Sequence, residues 1–492
     1  MEDFILAIDQ GTTGTTALLV GRDLAVHGKQ TVDFPQHYPR PGWVEHDPEE
    51  IWHSVRRAVR QLLEATGTAA GRIAAVGLTN QRETTLLWER PDGRPVHNAI
   101  VWQCRRSAGI CDEMKAAGLE PPVRARTGLV LDPYFSGTKL TWLLREQPAL
   151  RRQADDGRLA FGTIDAFVAW RLTGGKVHVT DVSNASRTLL MDLRSLQWDE
   201  ELLQIFGIPP RILPEIAPSS TIYGQTCGLD FLPDGIPVAG IAGDQQAALF
   251  GQACFRPGES KCTYGTGAFL LENIGTRPIA SRSGLLTTVA WQLDGATSYA
   301  LEGSSFIAGA AVQWLRDGLG LVHTAAEIET LARQVPDSGG VVFVPALTGL
   351  GAPHWNSGAR GLISGITRGT TAAHLARATL EGIALQIHDL CRAMADDKGE
   401  PLAVLKVDGG AAQNDLLMQL QADLLDKPVS RPQTVETTAL GAAMLAGLAV
   451  GFWRDQEELA ASWREERRFV PEADATWRKE LLERWSGAVR RA

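Results

Sequence analysis

Two glycine- and threonine-bearing turns, each set between apolar runs and one in each half of the chain, constrain this sequence more than any other feature. In the first half, Phe4–Ile8 is apolar, Asp9–Gly14 interrupts the run, Thr15–Val20 is apolar again, and Arg22-Asp23 reads as a further hairpin turn. That alternation predicts an antiparallel pair of strands at the start of the fold. Ile51, Val55, Val59, Leu62 and Leu63 then recur at helical spacing over Ile51–Ala65, and Ile73–Leu78 returns to a buried-strand pattern. Hairpin, helix and strand in that order imply an α/β domain on a mixed sheet.

The same kind of pattern starts again after Gly235. An apolar run, Ile236–Ala242, leads into the turn Gly243-Asp244-Gln245, and Ser260–Glu272 reads as a hairpin around Tyr264-Gly265-Thr266-Gly267. Helices are expected at Phe306–Leu319, Ala372–Ala395 and Asp415–Leu425, and a strand at Leu402–Val407 before Asp408-Gly409-Gly410. The repetition implies a duplicated architecture. With 492 residues the chain also exceeds what one core usually supports. No low-complexity linker separates the halves, so two domains, 1–247 and 248–492, are expected to meet at a packed hinge near Gly240–Gly251.

Composition excludes several classes. A formal net charge of −9 gives no general attraction to nucleic acid or to an anionic membrane, so any anionic ligand must be met locally. The six cysteines form no C-x-x-C pair and read as reduced thiols. The acidic start, Met1-Glu2-Asp3, passes at once into an apolar run unlike a signal peptide, which makes the cytoplasm the expected compartment. The longest apolar stretch, Thr438–Trp453, is too short and too rich in Ala and Gly for an integral membrane segment and reads as a closely packed buried helix. G-x-x-x-x-G-K-[ST], G-x-S-x-G and H-E-x-x-H are all absent.

The turns themselves carry chemistry. Asp9 through Thr16 follows a buried strand, so consecutive backbone N–H groups and hydroxyls share one concave edge of the kind that binds phosphate, and Asp9 could hold Mg²⁺. Asp408 through Asp415 follows a strand and opens a helix, where backbone N–H groups meet an anion or a nucleotide. Each segment taken singly is equally consistent with an ordinary turn or helix cap. Together with Tyr264–Gly267, in two repeated halves, they fit one nucleotide gripped between domains.

Asp9–Thr13, Asn80–Thr84, the run Thr127–Leu140, Gly243–Leu249 and Asp408–Asn414 together resemble the FGGY carbohydrate kinases, and within them the members that act on glycerol. Gly361–Ile366 followed by His374–Glu381 is similar to the second signature of that family. The resemblance runs from Ile5 to about Gly451. It implies two actin-like, ribonuclease H-like α/β domains with mixed sheets and a nucleotide cleft between them, ATP and Mg²⁺ as cofactors, and a homodimer or homotetramer. It implies phosphorylation of glycerol to sn-glycerol 3-phosphate, with Arg82, Glu83, Trp102, Tyr134, Asp244, Gln245 and Phe269 around the polyol and Asp244 as general base. Around ATP it places Thr12, Thr13, Gly14, Gly265, Thr266, Gly309, Gln313, Gly410 and Asn414, with Asp9 near the metal.

The residue types agree with that assignment: a triol needs donors such as Arg82, acceptors such as Glu83 and Asp244, amphoteric partners such as Tyr134 and Gln245, and rings such as Trp102 and Phe269 on its carbons. Singly, Arg82-Glu83 reads as a surface pair, the aromatics as core and Asp244 as a turn residue. Gly14-Thr15-Thr16 stands where glycerol-specific members usually read Ser-Ser-Arg, so a basic side chain near the phosphates is missing. The stretch Thr226–Gly235, where some members bind fructose 1,6-bisphosphate, has no basic residue and two acids, and no histidine lies between Leu196 and Ile241 for regulatory phosphorylation. A kinase for another polyol or a ketose, or a non-catalytic ATP-gated module of the same fold, are the competing readings.

Overall fold

The computed structural model describes residues 3–356 and 358–492. Met1 and Glu2, the first residues of the expected acidic start, lie outside the described residues. The duplicated pattern becomes two mixed sheets. In the six-stranded first sheet, Phe4–Gln10 pairs antiparallel with Gly14–Val20, which pairs antiparallel with Val26–Asp33. On its other side Phe4–Gln10 runs parallel to Ile73–Asn80, which runs parallel to Pro237–Gly243. The seven-stranded second sheet repeats this order: Ser260–Tyr264 pairs antiparallel with Ala268–Gly275, then Ala296–Ser305, and parallel with Leu405–Asp408, then Val429–Pro432. Both Gly/Thr turns join the first two strands of their sheet.

The helix Pro48–Thr66 follows the first hairpin, capped by Asp47, whose side chain accepts from the Glu49 N–H, and ended by Gly67 in the left-handed conformation. It buries Ile51, Val55, Val59 and Leu62 against the first sheet. Asp415–Leu425 and Ala372–Lys398 lie where helices are expected, and a strand occupies Leu405–Asp408. The helix expected from Phe306 begins only at Gly309. The Ala308 and Gly309 N–H groups are drawn instead to the Thr266 and Gly265 carbonyls, which fixes this segment against the second Gly/Thr turn.

The last parallel strand of each sheet feeds a helix lying between the sheets: Pro237–Gly243 leads into Asp244–Gly251, and Val429–Pro432 leads toward Thr437–Ala449. The two helices cross so closely that a Cβ on Gly441 would lie 1.8 Å from the Ala247 carbonyl oxygen, and one on Gly251 2.0 Å from that of Thr437. Only hydrogen fits at either position. Thr437–Ala449, the buried helix expected from Thr438–Trp453, packs on the first sheet although it lies in the second half of the chain. Its Ala443 and Met444 join Ile5, Ala7 and Val20 of one sheet to Leu271 and Ala300 of the other in one apolar cluster. No helix among the described residues is long and apolar enough to cross a membrane.

Candidate active site

The site assembles at the carboxyl ends of parallel strands, where sheets of this kind leave a crevice. Ile73–Asn80 delivers Arg82 and Glu83, and Pro237–Gly243 delivers Asp244 as the first residue of its helix. Glu83 is a left-handed residue at φ 59°, an unusual conformation for a side chain with a Cβ. Far from being a surface pair, Arg82 and Glu83 are 2% and 1% exposed. Arg82 Nε lies 3.1 Å from Asp244 Oδ1, and its Nη2 donates to the Tyr134 hydroxyl at 3.4 Å. Gly243 allows this approach, because a Cβ there would lie 2.7 Å from the Arg82 Cγ and Cδ.

The aromatic residues form a wall. Trp102 meets Tyr134 edge-on with ring centres 5.7 Å apart, and Phe269, from the second sheet, at 6.3 Å. Tyr134 is held by its own loop: Asp132 accepts from the Tyr134 N–H at 2.9 Å, and the buried Lys139 ammonium donates to the carbonyls of Tyr134 and Phe135. Trp102 is tied to the first Gly/Thr turn, since its indole N–H donates to Thr12 Oγ1 at 3.0 Å. Thus Thr12, expected at the phosphates, also fixes a ring expected at the polyol. Gln245 Oε1 accepts from the fully buried Lys261 ammonium at 2.5 Å.

Behind this wall lies a buried charge network that the sequence did not reveal. Glu302 Oε2 and Oε1 accept from Arg82 Nη1 at 2.6 Å and Nη2 at 3.0 Å, and Oε1 also from Arg187 Nη2 at 2.9 Å. Arg187 Nε donates to Glu83 Oε1 at 2.7 Å. Burial pushes the Glu302 carboxyl up, but the Arg187 and Arg82 guanidiniums outweigh it and hold the acid down at about 2. Burial wins at Glu83, whose carboxyl is raised despite Arg82 and Arg187. Acids and bases in otherwise apolar strands, as in Tyr299-Ala300-Leu301-Glu302, are the available sequence signal for Glu302 and Lys261. Arg187 has none.

Where the nucleotide is expected, the second half holds a separate cavity of about 370 Å³. Gly265, Thr266, Gly309, Gln313, Gly410 and Asn414, the six residues expected there in this half, all line it. Ala326, Ile328, Leu380 and Leu417 give it an apolar side suited to a flat base, with Arg316 and Glu329 as polar neighbours. Asn414 caps the helix that follows, accepting from the Leu417 N–H at 2.9 Å, and also lines the cavity. Thr13 is exposed at the first turn, and the Gly11 N–H bonds back to the Gly14 carbonyl to close that turn. Asp408 is buried and anchors the boundary helices, accepting from Gln252 Nε2 at 2.8 Å and Thr437 Oγ1 at 2.7 Å.

Asp9 lies near the end of Phe4–Gln10, beside the first Gly/Thr turn. Its carboxyl is pushed up to about 8, first by burial and then by the carboxylates of Asp244 and Glu436, against which Lys29 pulls weakly. Lys29 is itself paired with Glu436. Asp244 and Glu436 are paired with Arg82 and Lys29, and one carboxylate such as Asp9 with phosphate oxygens and water is a donor set that suits Mg²⁺. Among the described residues no group of three or more His, Cys, Asp or Glu could hold a metal by itself.

Known proteins match this chain in sequence and in fold. Residues 4–251 match the N-terminal domain of the FGGY family of carbohydrate kinases, and residues 260–450 match its C-terminal domain. A glycerol kinase of Carboxydothermus hydrogenoformans is 57% identical over 489 residues, covering 99% of this chain and 98% of the relative. One of Myxococcus xanthus is 58% identical over 491 residues, covering 99% of each chain. Among solved structures, Plasmodium falciparum glycerol kinase with ADP superposes with a TM-score of 0.92 at 37% identity, covering 100% of this chain and 98% of that one. With both family domains matched in order along almost its whole length, the chain belongs to the FGGY family of carbohydrate kinases.

Proposed function

We propose that the chain transfers the γ-phosphoryl group of ATP to a hydroxyl of glycerol, giving sn-glycerol 3-phosphate and ADP, with Asp244 as the general base. The observation that carries this reading is the gathering of Arg82, Tyr134 and Asp244 beside the rings of Trp102 and Phe269. A nucleotide-gated switch has no use for such a hydroxyl-binding set. The naming of the full-length relatives as glycerol kinases supports glycerol over another polyol or a ketose.

In this reading Arg82 donates to the polyol, and Glu83, Asp244 and Gln245 accept from its hydroxyls. Trp102 and Phe269 cover the carbons and keep water out, which limits ATP hydrolysis. A pocket whose polar groups are buried discriminates against analogues lacking a hydroxyl, because those groups would go unpaired. Asp244 orients the attacking hydroxyl and takes its proton, the part left to the protein in a reaction that otherwise needs positioning and charge neutralisation. Mg²⁺, held by Asp9, supplies that neutralisation when bound. Thr12, Thr13 and Gly14 face the phosphates from residues 1–247, while Gly265, Thr266, Gly309, Gln313, Gly410 and Asn414 hold the nucleotide from residues 248–492. An ATP consumer of this kind belongs in the cytoplasm, and a homodimer or homotetramer completes the reading.

The test is ATP-to-ADP turnover with glycerol, dihydroxyacetone, erythritol and xylulose. Glycerol is expected to give the highest kcat/KM. A preference for xylulose would overturn the substrate, and ATP binding without turnover of any polyol would overturn the enzyme.

A further inference from the structure

We infer that Glu302 and Arg187 are positioning residues that couple the polyol site to the nucleotide site, so that the two substrates bind cooperatively. This rests on the polyol-kinase reading and goes beyond it. Arg82, Glu83 and Arg187 belong to the first half, whereas Glu302 comes from the strand Ala296–Ser305 of the second sheet. Glu302, Arg187, Glu83 and Arg82 are all at most 2% exposed. Glu302 takes both terminal nitrogens of Arg82 in a fork, the geometry that fixes a guanidinium most firmly. The orientation of Arg82 in the first half is therefore set by a carboxylate from the second.

That carboxylate also lies on the path to the nucleotide. Its strand ends at Ser305 and passes directly into the segment whose Gly309 and Gln313 line the nucleotide cavity. Its neighbour across the sheet, Ala268–Gly275, carries Phe269, paired with Ser304, and begins just after the Gly265-Thr266 turn. A nucleotide that shifts or stiffens this turn and strand acts on Glu302, and through Glu302 on Arg82. Among the described residues the buried Arg187 Nη1 meets no acceptor, so the network retains a donor that a change in domain position can satisfy. Removing one partner from such a buried set leaves the others uncompensated, so the coupling is sensitive to a single atom type.

The test uses the full chain, with ADP and glycerol as probes in calorimetry. In the wild type, glycerol is expected to tighten ADP binding by about fivefold or more, and ADP to tighten glycerol by the same factor. Glu302→Gln keeps the shape and removes the charge. It is expected to bring the coupling factor below about twofold and raise the glycerol KM about 10- to 100-fold, with the ADP affinity measured alone within about threefold. Arg187→Lys keeps the charge but loses the bridge from one guanidinium to both Glu83 and Glu302, and is expected to reduce the coupling factor in the same direction. It serves as the readout if Glu302→Gln does not fold. Wild-type coupling in the folded variants, no coupling in the wild type, or equal loss of both ligands in proportion to a fall in Tm would each overturn the inference. A wild type that fails to phosphorylate glycerol would overturn the kinase reading instead, and the turnover assay separates the two.

Discussion

Replacing Asp244 by Asn isolates the chemical step. The Asn carbonyl can still accept from the Gln245 N–H, which Asp244 Oδ1 does at 2.7 Å, so the start of the helix keeps its local geometry. The ion pair with Arg82 is lost, but the Asp244 side chain is 30% exposed and Arg82 retains Glu302 and Glu83. A partly solvated pair of that kind contributes about 1 kcal/mol or less. Removing one of the two carboxylates that crowd Asp9 offsets part of even that. Loss of a general base, by contrast, costs about 10²- to 10⁴-fold, roughly 2.7–5.5 kcal/mol in the barrier. Turnover should therefore fall at least 100-fold while glycerol KM, ADP affinity and stability change little. A coupled assay of ADP release gives kcat and KM, and calorimetry gives glycerol binding to the variant. Turnover within tenfold of wild type would refute the base assignment, and a variant that no longer binds glycerol would show that Asp244 is an anchor rather than a base.

Thr16→Arg places a cation directly across the strand pair from Asp9, in the position now occupied by a hydroxyl bonded to Thr31 Oγ1 at 2.9 Å, and should raise kcat severalfold. An unchanged or lower rate would mean that Lys29 and Lys261 already compensate. Gly441→Ala drives a Cβ to 1.8 Å from backbone and should cost about 1–3 kcal/mol or more in denaturant unfolding, and a loss below about 0.5 kcal/mol would contradict the close crossing. Burial lowers the His46 imidazole to about 3, with the proximity of His37 adding to it, while its Nε2 meets Gln36 Oε1 at 2.6 Å. The folded pKa lies below the unfolded one, so the unfolded chain binds more protons between these values. The stability His46 contributes is complete above about pH 6.5 and drains as pH falls toward 3. His46→Gln should flatten that part of the stability profile, and an unaltered slope would assign the acid sensitivity to other groups.

What was legible in the sequence follows from what is local. The Gly/Thr turns announce themselves because a hairpin needs its turn residues at fixed places. Asp415–Leu425 is readable because its cap and apolar spacing lie in consecutive residues. The start of the helix at Gly309 was not, because the residues before it bond to a turn more than forty positions earlier. Arg82 and Glu83 looked like a surface pair for the same reason: the carboxylate that makes Arg82 tolerable in the interior sits 220 positions away. Long-range ionic partners leave no periodicity, so the whole Arg82, Glu83, Arg187 and Glu302 network becomes visible only once the two sheets are side by side. Thr12 shows a milder form of this, since nothing in its turn announces the indole of Trp102.

The duplication also explains how one scaffold divides the work. Asp9 pairs across its hairpin with Thr16, and at the matching place in the second sheet Thr263 pairs with Phe269. Thr79 faces Asp9 from the adjoining parallel strand, and Asp408 faces Thr263 from the equivalent one. The same backbone positions thus carry a carboxylate and a small hydroxyl beside the phosphate turn in one half, and a hydroxyl and an aromatic wall in the other. The acid on the second sheet, Asp408, is spent on Gln252 and Thr437, so it braces the boundary helices rather than the cleft. In the proposed reading the metal-facing carboxylate lies on the first half, while the second half contributes the Phe269 ring and, behind the pocket, the buried Glu302. In that reading neither half contains a whole site, so the close helix crossing at Gly251 and Gly441 bears on catalysis by holding the two halves together.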